Sequence, residues 1–194
     1  SIDASIRQRF LREGYVANAV DHDGAVRVID DDRAEDGSAF LVMELLQGET
    51  IAARWDRCQR LPVTEVAELA HQLLDVLAAA HDKGIVHRDI KPENLFFTKT
   101  GLKVLDFGIA RMRESAEGTN PGSTKTGAMM GTPAFMPREQ ALGLVKEIDG
   151  RTDLWAVGAT MFALISGQYV YEAETAQGMV VAAATTPPRS LLTV

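Results

Sequence analysis

The chain has 194 residues, of which 46% are hydrophobic and 24% charged, with a formal net charge of −7. That is an ordinary globular balance, long enough for a sizeable core. Its acidity argues against a nucleic-acid or anionic-membrane surface, because both present phosphates to the protein. The single cysteine, Cys58, excludes an internal disulfide and fits a reducing compartment. We read Cys58 itself as a small apolar side chain near a helix end. No run approaches the ~18 apolar residues of a membrane span, and no basic head with an apolar run marks a signal peptide. A cytoplasmic location is expected, either free or as the cytoplasmic part of a membrane-anchored protein.

In chain order, Ile6, Phe10, Val16 and Val20 recur at helical spacing and predict a surface helix over 5–20. Two short β-forming runs follow, 25–29 and 39–43. The turn-prone segment 30–38 between them predicts that they pair as neighbours. Gly48 closes that region, and 50–59 predicts a short helix. Val66, Leu69, Leu73, Leu77 and Ala80 line one face of a longer helix over 64–83, with Thr64 as a candidate cap and Gly84 as its stop. The runs 95–97 and 102–105, joined by turn-like 98–101, predict a hairpin. Residues 109–131 lack periodicity, and a loop of that length inside a compact domain is functional or disordered. A nearly apolar helix is expected over 153–166, opened by Asp153, and a weaker one over 174–184.

The chemistry sits in His87-Arg88-Asp89-Ile90-Lys91-Pro92-Glu93-Asn94, followed twelve residues later by Asp106-Phe107-Gly108. These segments bring two carboxylates, a lysine and an amide to loops at the ends of short strands. Asp89 can orient a hydroxyl and accept its proton. Asn94 and Asp106 offer hard oxygen ligands suited to Mg²⁺, and Lys91 can neutralise charge on a moving phosphoryl group. Such a set serves phosphoryl transfer, where positioning and electrostatics dominate. His71 and His81 lie on the preceding helix and are read as structural or solvated rather than as ligands.

The two motifs resemble the catalytic loop and the magnesium-binding motif of protein kinases, in order and at the usual separation. Lys91 within Asp-Ile-Lys-Pro-Glu-Asn is the serine/threonine form, and the chain as a whole resembles bacterial-type serine/threonine kinases. The resemblance implies an α+β, protein-kinase-like fold. Residues 1–46 would be part of the small lobe (one helix, two strands, hinge). Residues 47–194 would be the large lobe without its last helices, with an activation segment over 106–139. It also implies ATP and Mg²⁺ as cofactors and a protein Ser/Thr side chain as acceptor, with self-association a route to autophosphorylation.

Further roles follow from the resemblance residue by residue. Glu13 looks like the glutamate of the small-lobe helix. Met43 resembles the gatekeeper, and the backbone of Glu44 and Leu46 would bond adenine. Arg88 would receive a phosphate from the activation loop, where Thr124 and Thr126 precede Thr132 by eight and six positions, the spacing of regulatory threonines in bacterial relatives. Thr132 resembles the residue of the substrate-side loop. Glu139 resembles the glutamate closing the activation segment, and Asp153 the buried aspartate that anchors the catalytic loop, although as a bland alternative it is only a helix cap.

Two departures stand out. The chain holds no G-x-G-x-x-G, and its first lysine is Lys83, so the family's phosphate-holding lysine has no counterpart in it and Glu13 lacks its partner. This is expected of a segment cut off at both ends. Pro137-Arg138-Glu139 replaces Ala-Pro-Glu, and Arg189 lies too early to be the arginine that normally meets that glutamate. The competing expectation to an enzyme is a kinase-like binding or scaffold module.

Overall fold

In a computed structural model of the chain, residues 14–107 and 133–194 are described. Glu13, Gly108, Thr124, Thr126 and Thr132 therefore lie outside the described residues.

Helix α1 (Val16–Val20) buries Ala17 and Val20. Strands β1 (Val28–Arg33) and β2 (Ala39–Met43) pair antiparallel, Val28 opposite Met43 and Arg33 opposite Ala39. The hairpin is as expected, but its first strand sits further along the chain than 25–29. Asp30, Asp31 and Asp32, turn-prone by type, become strand because ladder bonds to β2 satisfy their backbone; propensity gives way to pairing. The turn shrinks accordingly, with Ala34 N–H bonding Ser38 C=O at 2.9 Å. A bulge at Ile29 breaks the register, and the Asn18 side chain bonds both Val28 backbone groups at 2.8 Å. Ala25 instead bridges to Val104 in parallel.

Strand β3 (Gly48–Thr50) was not expected. It pairs antiparallel with β4 (Leu95–Thr98), which pairs in turn with β5 (Gly101–Val104) as the predicted hairpin. Gly48 is required there: its φ is +152°, and a Cβ would lie 1.8 Å from the Phe97 carbonyl oxygen. Thr50 then caps α2 (Ile51–Cys58) by accepting the Ala53 N–H. Glu49 ties this region down. It takes Arg57 at 2.6 and 2.8 Å and Arg54 at 3.2 Å, while Arg54 also bonds Glu65. Chiefly the Arg57 bond holds the Glu49 carboxyl down at about 2.

Helix α3 (Val63–His81) buries Val66, Leu69, Leu73, Val76, Leu77 and Ala80, one stripe at helical spacing. Its cap position is taken by Pro62, so Thr64 lies inside the first turn and caps nothing. Gly84 ends the turn after the helix at φ +70° and bonds back to His81 C=O. Short α4 (Arg138–Ala141) precedes α5 (Gly150–Ser166) and α6 (Ala176–Thr185).

One core cluster joins α1, Ala25, α3, the β4–β5 hairpin, Ile90, Phe107 and the inner face of α5. Residues on both sides of position 46 share it. A second cluster packs Phe135, Phe162, Val170, Tyr171 and Met179 around the outer side of α5. The fold is thus α+β, with small sheets on a helical body. Among the described residues, no helix is long and apolar enough to cross a membrane.

Candidate active site

The loop between α3 and β4 carries most of the predicted chemistry, and its backbone is fixed from beneath by α5. Asp153 is fully buried. Its carboxylate accepts the His87 N–H at 2.9 Å and the Arg88 N–H at 2.7 Å. The third partner is His81 Nε2 at 2.8 Å. That bond to Asp153 is the main reason the His81 imidazole is held above its ordinary titration range. Asp153 does not cap its helix. Asp149 does, in a capping box with Thr152, so α5 begins three residues earlier than expected and Asp153 is free to face inward from its first turn.

His87 sews the loop to the next strand. It is buried, donates from Nε2 to Leu105 C=O at 2.8 Å and accepts the Asp89 N–H on Nδ1 at 3.2 Å, which assigns the ring proton to Nε2. Phe107 packs edge-on against its ring at 4.7 Å. Leu105 N–H in turn bonds Asn94 C=O at 2.9 Å. Residues 87–94 and 105–107 therefore form one hydrogen-bonded unit. Two of its residues hold the left-handed backbone, Arg88 at φ +70° and Asp106 at φ +60°. Non-glycine residues pay roughly 1–3 kcal/mol for such conformations and keep them where the surroundings dictate it, commonly at functional sites.

Within this unit, Lys91 Nζ bonds both Asp89 carboxylate oxygens, at 2.9 and 3.1 Å. Asn94 sits in a single 3₁₀ turn (Pro92–Asn94) and donates from Nδ2 to Asp89 C=O at 2.7 Å and to Asp89 Oδ2 at 3.1 Å. The Asn94 amide oxygen thus points away from its own donor contacts. Neither it nor the Asp106 carboxylate has a hydrogen-bond partner among the described residues. Two hard oxygen donors without protein partners suit a magnesium ion that takes its remaining ligands from phosphates and water. The described residues contain no cluster of three or more acidic, His or Cys side chains that would hold a metal by themselves.

At the predicted hinge, Met43 ends β2, and Leu45 is 91% exposed. Glu44 N–H is already used, by Arg27 C=O at 3.0 Å, so of its two backbone groups only the carbonyl is open to a ligand. The Glu44 side chain is fixed as well, accepting the Arg27 N–H at 2.9 Å and Lys103 Nζ at 2.8 Å. Desolvation pushes this carboxyl up, but the two hydrogen bonds outweigh it and leave it below its ordinary range. The Leu46 N–H has no partner among the described residues.

In α4, Glu139 accepts Thr152 Oγ1–H at 2.8 Å. Arg189, as expected, does not meet it. Its guanidinium bonds Gln168 at 3.0 Å, Glu172 at 3.4 Å and the Tyr169 carbonyl, and lies 5.9 Å from the Phe162 ring centroid. Sequence reasoning missed the Thr152–Glu139 bond, the Lys103–Glu44 bond and Gln140, whose Nε2 donates to Arg88 C=O at 2.9 Å. Nothing in the spacing of these residues marks them, because each acts through a long-range contact.

A helical body that seats an Asp–Lys–Asn loop, tied by hydrogen bonds to the segment carrying a second aspartate, has the residue set of the protein-kinase class. Comparison with known proteins agrees, since the protein kinase domain family matches residues 1–188. The chain belongs to that family. It is 37% identical over 175 residues to the serine/threonine-protein kinase pkn3 of Myxococcus xanthus, covering 88% of this chain and 31% of the relative. It is 36% identical over 186 residues to Pkn1 of the same organism, covering 93% and 26%. It is 35% identical over 177 residues to the probable serine/threonine-protein kinase PknB of Corynebacterium glutamicum, covering 89% and 27%. The chain therefore spans less than a third of the length of these curated relatives.

Proposed function

We propose that the chain is the catalytic core of a kinase that transfers the γ-phosphoryl group of ATP to Ser or Thr of a protein. The observation that carries this reading is the Asp89–Lys91–Asn94 cluster, with the Asp106 carboxylate and the Asn94 amide oxygen left open beside it.

In this reading Asp89 orients the acceptor hydroxyl and takes its proton as the new O–P bond forms and the bond from the γ-phosphorus to the bridging oxygen breaks, releasing ADP. Lys91, already on the Asp89 carboxylate, places a positive charge where the transferring group passes. Asn94 and Asp106 hold Mg²⁺, which when bound neutralises charge between the phosphates. The Glu44 carbonyl and Leu46 N–H read adenine, with Met43 at the back of that pocket. Asp153, through two backbone N–H groups, keeps the loop in register, and Glu139, held by Thr152, sets the start of α4. Arg88 receives a phosphate from Thr124 or Thr126, Thr132 faces the acceptor residue, and self-association lets one copy phosphorylate another. Residues 1–46 act as small-lobe elements and 47–194 as the large lobe, in the cytoplasm.

The 194 residues by themselves hold no glycine-rich phosphate loop and no lysine before Lys83. We therefore infer that this segment alone transfers phosphate poorly, and that the active unit is longer. A scaffold role draws support from the same feature, but an intact Asp89, Lys91, Asn94 and Asp106 favours the enzyme. The deciding experiment incubates full-length protein with γ-labelled ATP and Mg²⁺, then analyses phosphoamino acids and phosphopeptides. The expected label is on Ser and Thr, chiefly Thr124 and Thr126. Label on tyrosine alone contradicts the substrate class, and label absent from 109–131 contradicts the regulatory sites.

A further inference from the structure

The peptide plane joining Arg88 to Asp89 is held at both of its polar atoms by side chains. Its N–H, on Asp89, donates to His87 Nδ1 at 3.2 Å. Its C=O, on Arg88, accepts Gln140 Nε2–H at 2.9 Å. The previous peptide is held separately, by Asp153 on the Arg88 N–H. The orientation of the Asp89 Cα–Cβ bond follows from this plane, so the direction of its carboxylate depends on what the plane is tied to. The His87 contact is long for such a bond, leaving Gln140 as the shorter of the two ties.

Gln140 is well placed to act as a fixed point. It lies on α4, and the two residues before it in that helix are anchored elsewhere: Arg138 Nε donates to Ala184 C=O at 3.1 Å, and Glu139 accepts from Thr152 at 2.8 Å. The helix is thus bolted to α5 and α6 before Gln140 reaches across to the loop. A shift of α4 against the loop therefore reaches the Asp89 peptide through one side chain.

We propose that Gln140 is a positioning residue for phosphoryl transfer, setting the Asp89 peptide plane from α4, one residue past the activation segment. This rests on the reading of Asp89 given above. Because the Gln140 side chain bonds loop backbone and none of Asp89, Lys91, Asn94 or the hinge residues, its loss acts on turnover and leaves ATP binding alone.

The test uses full-length protein with Gln140→Met, which keeps the shape and removes the donor, and Gln140→Glu, which turns a carboxylate toward the Arg88 carbonyl. The expected result for Gln140→Met is a kcat lower by about 5- to 10-fold, the range for one lost hydrogen bond. Gln140→Glu falls further. KM for ATP stays within about twofold in both, as expected when no ground-state contact is lost. Hydrogen exchange across 87–90 speeds up in both variants while that of α3 and α5 is unchanged. Wild-type kcat in Gln140→Met, or unaltered exchange across 87–90, overturns the inference. So does a kcat loss matched by general destabilisation. Asp89→Asn is measured alongside: an inactive Asp89→Asn with a fully active Gln140→Met refutes this inference alone, whereas an active Asp89→Asn refutes the reading of the site beneath it.

Discussion

The Asp153 carboxylate accepts the Arg88 N–H at 2.7 Å across 65 residues of chain, and with the same group takes the His87 N–H. A single buried side chain thus fixes the backbone that carries Asp89, at a point where the chain turns through a left-handed conformation.

Asp153→Ala strands two buried N–H groups and removes the partner of His81. It should cost roughly 3 kcal/mol, since hydrogen bonds to a buried charge are worth more than neutral ones and the donors left behind are unsatisfied. At this chain length that lowers the midpoint of thermal unfolding by about 6–12 °C. Asp149→Ala removes an exposed helix cap and an exposed ion pair with Arg151, and should cost about 1 kcal/mol. Thermal unfolding of the two variants side by side checks the assignment, and equal losses would contradict it.

The His81–Asp153 pair makes stability depend on pH in a definite direction. The folded-state pKa of His81 is raised, chiefly by its bond to Asp153. The extra stability is therefore fully present below the unfolded value of about 6.5 and is lost as pH rises through the higher folded value. In unfolding measured across pH, wild type should exceed His81→Gln most at about pH 6 and approach it at alkaline pH. A gap that widens on going alkaline would have the wrong sign.

Much of this was legible from residue types. The α3 stripe, the β4–β5 hairpin and the 87–94 and 106–107 segments follow from local pattern, because helix periodicity and short motifs are local properties. Misplaced features share a different origin. Strand β1 runs through three aspartates because β2 supplies ladder partners, and β3 is too short to show a period at all. The start of α5 was misread because two aspartates, Asp149 and Asp153, lie one turn apart and only the fold decides which caps and which is buried. Gln140 and Lys103 were invisible for the same reason: their partners, Arg88 and Glu44, are 52 and 59 residues away.

Residues 1–194 alone should bind ATP weakly. In the proposed reading Glu44 C=O and Leu46 N–H offer adenine two bonds, but β2 beside them leaves Phe40, Val42 and Met43 about two-fifths exposed to water. Charge contacts in an open site are screened and weakened. Calorimetry with MgATP should give a Kd weaker than about 100 μM, less than half the binding free energy of a nanomolar site. Micromolar binding with measurable phosphotransfer by this segment would contradict the expectation.

The claim that Asp89 is the residue around which this loop is built is tested most directly by phosphate transfer from ATP in full-length Asp89→Asn protein. The substitution keeps the shape and removes the base facing Lys91. Turnover should fall by a factor of about 100 or more, the scale of a lost positioned base, with thermal unfolding close to that of the wild type. Near-normal turnover in folded Asp89→Asn would contradict the account.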